Sequence, residues 1–148
     1  MSEVHGNLAY ERILIAVDGS EHAQRALEHA VTLAQAMHIA PHLTVLHVNP
    51  TMMVAEPPLG VDIGQRLDEE GREVTEPYRQ YLDTTGVAYD VRYHTGDPAT
   101  VICDIANEHR SDLIVIGTRG MSTMSELFLG SVSHKVIQHA HCPVLTVK

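Results

Sequence analysis

The sequence predicts a doubly wound α/β fold, in which helices cover both faces of a parallel sheet. Short, almost unbroken apolar runs recur along the chain and alternate with segments whose apolar residues follow helical spacing. Uniformly apolar strands are typical of parallel sheets, because both faces of such strands are buried. The length of 148 residues fits a single domain over residues 1–148, in which residues 1–10 form a tail.

The first predicted elements are a strand, a helix and a second strand. The run RILIAV predicts a buried strand at 12–17, and it ends at the turn DGS, where Ser20 would cap a helix. Apolar residues at helical spacing over 23–37 predict that helix. The run LTVLHV predicts the second buried strand at 43–48.

The middle of the chain is more polar. Residues 51–64 hold two prolines and two glycines, which predicts a long, variable loop. Residues 65–85 predict a charged helix that Gly71 and Pro77 bend or interrupt. Residues 88–94 alternate apolar and polar side chains, as a strand near a sheet edge does.

The last third returns to apolar elements. Asp97 caps a predicted helix whose first residue is Pro98, a favoured arrangement. The run LIVI at 113–116 predicts a buried strand, and a helix at 131–139 and a final strand at 144–147 follow.

Composition excludes several function classes. The chain has 10 Lys and Arg against 19 Asp and Glu, a formal charge of -9, and its basic residues are scattered along the sequence. Such a chain repels nucleic acids and anionic membranes, so we expect neither as a partner. There is no signal-peptide pattern and no apolar run of about 20 residues. Two cysteines, Cys103 and Cys142, make no disulfide framework, so a cytoplasmic protein is the simplest interpretation.

The segment GTRGMSTMSELFLGS at 117–131 is the most informative for function. It follows an apolar strand and precedes a helix, whose first N–H groups are free to bind an anion. The hydroxyls of Ser131 and Ser133 add donors, so the segment resembles a phosphate cradle; the alternative is that its glycines merely end a strand and begin a helix. Neither GxxxxGK[ST] nor GxGxxG after the first strand is present, which excludes a P-loop ATPase and an ordinary dinucleotide-binding domain.

The glycine spacing is G-2x-G-9x-G-S, from Gly117 through Gly120 and Gly130 to Ser131. This spacing resembles the G-2x-G-9x-G-[ST] signature of ATP-binding universal stress proteins. The segments ILIAVDGSEHAQRAL, LTVLHV, TGDPATVICDIANEHRSDLIVIGTRG and GSVSHKVIQHAHCPVLTVK resemble that family in the same order. The resemblance implies a Rossmann-like, five-stranded parallel sheet of order 3-2-1-4-5, with an adenine nucleotide over strands 1 and 4.

The resemblance also implies site residues. Asp18 would accept ribose hydroxyls or approach a Mg²⁺ ion held by the nucleotide; the alternative is that Asp18 only helps Ser20 to cap the first helix. The Val48 backbone would read the adenine edge, and Ala16 stands where other members have proline. The remaining expected contacts are with ribose and phosphates: Ile116, Gly117, Arg119, Gly120, Gly130, Ser131, Val132 and Ser133.

The expected ligand is ATP, or ADP or AMP, with Mg²⁺, and we expect no metal held by protein side chains alone. His134 and His139 are five residues apart and do not share a helix face well, which disfavours a zinc site with His141 and Cys142. The motif places no His or Lys against Asp18, which favours a regulatory module over an enzyme. The alternatives are slow ATP hydrolysis, a related nucleotide-handling activity of the same fold such as adenylyl transfer, and a nucleotide-free dimerisation module. The resemblance further implies a homodimer through Val144–Val147, and the protein partner is unknown.

Overall fold

A computed structural model describes residues 10–50, 60, 62–119 and 130–148. Strands and helices alternate along the chain. In order, the elements are β1 Arg12–Val17, α1 Glu21–Ala36, β2 His42–Asn49, α2 Ile63–Asp83, β3 Tyr89–Thr95, α3 Pro98–Glu108, β4 Leu113–Gly117, α4 Ser131–His139 and β5 Val144–Val147. None of these helices combines the length and the apolar character needed to cross a bilayer.

The five strands form one parallel sheet of order β3-β2-β1-β4-β5. Ile15 of β1 is aligned with Val45 of β2 on one side and with Val115 of β4 on the other. The predicted fold class and strand order are therefore confirmed. Connections lead from β1 towards β3 and later return to β4, so the strand order reverses between β1 and β4.

Two apolar cores fill the space between this sheet and its helices. Alternate strand residues point to opposite faces, so Ile13 and Ile15 pack with α1 and α2, whereas Leu14 and Ala16 pack with α3 and α4. The β1 side chains are almost completely buried on both faces from Ile13 to Val17. This two-sided burial explains why the strand is apolar throughout.

Helix α2 differs most from its prediction. It begins at Ile63 with Asp62 as its N-cap, so the predicted loop over 51–64 is wrong at residues 63 and 64; residues 51–59 and 61 lie outside the described residues. Of the two predicted effects, a bend or an interruption, the interruption is wrong, since the helix continues through Gly71 and Pro77 to Asp83. A side chain at position 71 would place its Cβ 2.7 Å from Cδ1 of Tyr93, so this glycine allows α2 to lie close to β3.

The other boundaries agree with the sequence to within a residue or two. Asp97 caps α3 by accepting the N–H of Thr100 at 3.1 Å, and Pro98 begins the helix. Strand β3 is at the edge of the sheet and only partly buried, as its alternating pattern predicts. The carboxyl ends of all five parallel strands consequently lie at one edge of the sheet.

Candidate functional site

A cavity of about 340 Å³ opens at the carboxyl ends of β1, β2 and β4. Its position coincides with the reversal of strand order, where open α/β sheets bind their ligands. Every predicted site residue that the structure describes lines it: Ala16, Asp18, Val48, Ile116, Gly117, Arg119, Gly130, Ser131, Val132 and Ser133. Gly120 lies outside the described residues.

The wall of this cavity is mainly apolar. Leu46 and Val48 of β2 contribute one side, and Ile102 of α3 and Ile116 of β4 contribute the other. Among the described lining residues, Asp18 and Arg119 carry the formal charges. An apolar wall with a few polar groups at one end suits a flat, partly apolar molecule that bears charge at one end.

The loop after β1 is fixed by hydrogen bonds. The Asp18 Oδ1 atom accepts the N–H of Ser20 at 2.9 Å, and the Ser20 hydroxyl accepts the N–H of Ala23 at 3.2 Å to cap α1. Asp18 therefore supports the capping turn, as one alternative expected, and its exposed side chain also lines the cavity. The two interpretations of Asp18 are compatible.

Helix α2 also holds this loop. Gly19 has φ +86°, a backbone conformation that favours glycine, and its N–H donates to the Tyr78 hydroxyl at 3.0 Å. Burial raises the pKa of Tyr78 to about 12, opposed by this hydrogen bond and assisted by the negative charge of Asp18. The Tyr78 hydroxyl thus stays protonated and neutral throughout the physiological pH range.

Gly117, at the end of β4, is required by packing. A Cβ at this position would lie 2.8 Å from the carbonyl carbon of His22 and 2.8 Å from its Cβ, in the first turn of α1. The next residue, Thr118, places its hydroxyl 3.1 Å from the His22 Nδ1 atom. A close approach between β4 and α1 therefore explains this glycine, apart from any contact with a ligand.

The amino terminus of α4 is the most polar part of the cavity. Gly130 is its N-cap and makes no side-chain cap, whereas α1, α2 and α3 are each capped by a side-chain oxygen. The Gly130 N–H donates to the Thr118 carbonyl at 2.6 Å, and the Ser133 hydroxyl lies 3.2 Å from that carbonyl and 2.9 Å from the Gly130 carbonyl. These two donors are engaged within the protein.

The remaining donors at this terminus are free to face a ligand. Among the described residues, no acceptor takes the N–H groups of Ser131, Val132 or Ser133, as is usual for a first helical turn without a cap. The exposed Ser131 hydroxyl adds a further donor. The positive end of the helix dipole lies at the same place, so this part of the cavity favours an anion.

Sequence reasoning missed two polar residues of the cavity, Thr118 and His47. The glycine motif places no histidine against Asp18, and the structure adds His47 of β2 to the cavity wall. Its Nδ1 atom is 3.0 Å from the Val17 carbonyl and its Nε2 atom is 3.1 Å from Asn49 Oδ1. Each ring nitrogen thus lies within hydrogen-bond distance of a protein oxygen, which holds the His47 ring in the cavity wall. The position of His47 in the mostly apolar run LTVLHV was the available signal.

The histidine and cysteine residues near the carboxyl terminus do not assemble a site within the described parts of the chain. No group of three or more His, Cys, Asp or Glu side chains there has the arrangement of a metal centre. Burial is the main cause that raises the pKa of the Cys103 thiol and of the Cys142 thiol. Both cysteines therefore stay protonated and are poor nucleophiles at neutral pH.

Comparison with known proteins decides the family. Residues 9–148 match the sequence pattern of the Universal stress protein family. The chain belongs to the universal stress protein family. Among its relatives, it is 36% identical to the universal stress protein YxiE of Bacillus subtilis, an alignment that covers 94% of this chain and 99% of YxiE.

Solved universal stress proteins have the same fold. UspA from Lactobacillus plantarum is similar with a TM-score of 0.83 and 30% identity, over 96% of this chain and all of that one (100%). A universal stress protein family protein from Arabidopsis thaliana, solved with AMP bound, is similar with a TM-score of 0.67 and 26% identity, over 93% of this chain and 91% of that one.

Proposed function

We propose that this universal stress protein binds ATP, with Mg²⁺, in the cavity at the carboxyl ends of β1 and β4. Binding would make the chain a nucleotide-responsive regulatory module of the cytoplasm, with little or no catalytic turnover. The observation that carries the proposal is the amino terminus of α4, which has no side-chain cap among the described residues and faces a mainly apolar cavity. The relative solved with AMP bound supports an adenine nucleotide as the ligand.

The apolar wall accounts for the base and the ribose. Leu46, Val48 and Ile102 would pack against the adenine ring, and burial of that ring would supply much of the affinity. The aligned residues of β1 and β2 end at Val17 and His47, whereas β2 continues to Asn49. The Val48 backbone therefore lies beyond the end of β1, where it would read the adenine edge.

The helix terminus accounts for the phosphates. The N–H groups of Ser131, Val132 and Ser133 would donate to phosphate oxygens, together with the Ser131 hydroxyl and the guanidinium of Arg119. Asp18 would otherwise repel the phosphates. We therefore expect it to accept the ribose hydroxyls or to face a Mg²⁺ ion bound by the nucleotide.

Regulation is favoured over turnover because the described residues give the cavity only two candidate bases, His47 and Asp18. The His47 ring is held between the Val17 carbonyl and the Asn49 Oδ1 atom, and the Asp18 Oδ1 atom accepts the Ser20 N–H. Slow ATP hydrolysis remains the alternative function, with Asp18 orienting a water. Single-turnover assays with radiolabelled ATP distinguish the two: intact ATP retained over hours supports the regulatory function, and steady ADP release supports the hydrolase.

Titration calorimetry with Mg-ATP and with adenosine tests the phosphate site. Aspartate is favourable at the first position of a helix, so Ser131→Asp keeps α4 intact while it puts a negative charge beside the phosphates. We expect this variant to lose about 2 kcal/mol of ATP binding free energy, roughly 30-fold in affinity, and to bind adenosine as the native chain does. The matched control Ser131→Ala retains the backbone donors and should lose about threefold or less.

Two results would contradict the proposal. Native protein that binds no adenine nucleotide would exclude the function itself. Unchanged ATP affinity in Ser131→Asp, with adenosine binding preserved, would show that the phosphates lie away from α4.

We further propose that the protein forms a homodimer through β5. This strand is the outer edge of the sheet and is only partly buried, and unpaired strand edges attract further strands. The Pro143 and Val147 carbonyls accept N–H groups from the β4 side, so the backbone groups of Val144 and Thr146 point outward.

The strand geometry suggests a specific dimer test. Thr146→Pro removes an outward N–H and leaves the pairing with β4 in place, because edge strands tolerate proline on their free side. Leu145→Pro removes an inward N–H and should destabilise the fold. Sedimentation should show a folded monomer for Thr146→Pro, and a folded dimer would contradict this interface.

A further inference from the structure

A second cavity, of about 270 Å³, lies at the opposite edge of the sheet, near the amino ends of β1, β2 and β3. All the described residues that line it are polar. Two of them are arginines, Arg12 and Arg92, which the sequence places far apart and the sheet brings together. This cavity shares no residue with the nucleotide cavity.

The fold forms this cavity from two sources. The first residues of β1, β2 and β3 form one wall. Their side chains lie on the α3 side of the sheet, ahead of the apolar core residues, and they include Arg12, His42 and Asp90. The turn after α3 contributes the rest. There the Ser111 N–H donates to the Ala106 carbonyl at 2.8 Å, and the left-handed Arg110 has φ 52°. These bonds hold His109 and Ser111 at the cavity wall.

Asp90 organises the strand side of the cavity. Its carboxylate accepts hydrogen bonds from His42 at 2.7 Å, Thr44 at 2.9 Å and Arg92 Nε at 2.8 Å. Partial burial acts to raise the pKa of Asp90, but the three hydrogen bonds outweigh it and lower the pKa below its ordinary value. Asp90 is therefore a carboxylate at neutral pH that fixes the Arg92 side chain, while both terminal nitrogens of Arg92 have no partner among the described residues.

Two further donors face the same space. Ser111 is only 4% exposed and lines the cavity, yet its hydroxyl has no hydrogen-bond partner among the described residues. One terminal N–H group of Arg12 donates a hydrogen bond to the His109 carbonyl at 3.3 Å, and the other side-chain N–H groups of Arg12 have no partner within the described parts of the chain. Asp112 lies beside the cavity, but it already accepts the Glu11 N–H at 2.7 Å.

We propose that this cavity binds a phosphoryl group through Arg12, Arg92 and Ser111. Two guanidinium groups and the Ser111 hydroxyl supply the donors, and Asp90 is the one carboxylate among the described residues that line the cavity. The chain as a whole is acidic, with a formal charge of -9, so a pair of arginines in one cavity is a local exception. The ligand would be inorganic phosphate or the phosphate of a small monoester.

The test is a phosphate titration followed by 1H–15N correlation NMR. The titration uses the Ser131→Asp variant as the parent protein. The aspartate repels phosphate from the amino terminus of α4, so binding at the second cavity is observed alone. Inorganic phosphate should shift the Ser111 amide and the Arg12 and Arg92 side-chain signals saturably, in the millimolar range. Sodium chloride at equal ionic strength should not shift them.

Variants of the cavity complete the test. Ser111→Ala and Arg92→Gln, each added to the parent, should weaken phosphate binding about tenfold, as expected for loss of a charge-assisted hydrogen bond. Native-like spectra of Ser111→Ala verify folding, since only a hydroxyl is removed. Methyl phosphate bound more tightly than inorganic phosphate would identify a monoester as the ligand, and the reverse would identify inorganic phosphate. Shifts that do not saturate, that chloride reproduces or that survive both substitutions would overturn the proposal.

Discussion

Gly117→Ala separates a steric role of this glycine from a ligand-binding role. The added methyl would lie 2.8 Å from the His22 carbonyl carbon, 2.8 Å from its Cβ and 3.0 Å from its carbonyl oxygen. Carbon atoms in contact normally stay about 3.5 Å apart, so α1 or β4 would have to move by roughly 0.7 Å. The contacted atoms are mostly helix backbone, which cannot rotate away as the end of a side chain can.

The magnitude follows from two opposing effects. Overpacking of this kind costs about 1–3 kcal/mol, and replacing glycine returns up to about 1 kcal/mol by restricting the unfolded chain. We expect a net loss of about 1–2 kcal/mol in the free energy of unfolding. Urea denaturation followed by circular dichroism, without nucleotide, measures this loss.

Gly64→Ala is the matched control. Its methyl would meet only a carboxylate oxygen of Asp62 at 3.3 Å, in the first turn of α2. Stability should change by no more than about 0.5 kcal/mol. Gly117→Ala protein with native stability would refute the steric argument, and loss of ATP binding at unchanged stability would assign Gly117 to the ligand alone.

Three further predictions concern residues that support the helices and strands around the two cavities. Gly71→Ala should destabilise by about 1 kcal/mol in urea, because overlap with Tyr93 outweighs the better helix propensity of alanine, and a stabilised variant would contradict this packing. Arg110→Gly should stabilise by about 0.5–1 kcal/mol, because glycine tolerates the left-handed conformation that ends α3, and a loss of stability would show that the arginine side chain compensates. Asp90→Asn should be less stable than the native chain at neutral pH. Because the pKa of Asp90 is lowered in the folded protein, the stability difference between the two proteins should be complete at pH values above the ordinary aspartate pKa of 3.8 and should vanish as the pH falls through the folded pKa. A stability difference that does not depend on pH would exclude the Asp90 charge as its cause.

Local patterns predicted most of the fold. The uniformly apolar runs of β1 and β4 and the caps Ser20 and Asp97 depend on neighbouring residues, so they are visible in the sequence. Helix α2 was misjudged because its continuity depends on a distant contact. Glycine and proline weaken an isolated helix, but here Gly71 admits Tyr93 and the buried Tyr78 packs against the core.

The candidate site shows the same division. Glycine spacing located the turn around Gly117 and the start of α4, and the described residues of the motif do line one cavity. Their hydrogen bonds could not be predicted, because the partners of Gly130 and Ser133 are carbonyls whose direction depends on the folded loop. The second cavity has no local signal, since Arg12 and Arg92 meet only through the order of the strands.

The most direct test of the central claim is a 1H–15N NMR titration of the native protein with Mg-ATP. If the phosphates bind at α4, the amide protons of Ser131, Val132 and Ser133 should shift downfield and saturate together, because these N–H groups, which have no acceptor among the described residues, would acquire charged ones. The amide of Gln65, which the side chain of Asp62 already caps at 3.2 Å, should stay unchanged. Saturable ATP binding that leaves the three α4 amides unshifted would contradict the account.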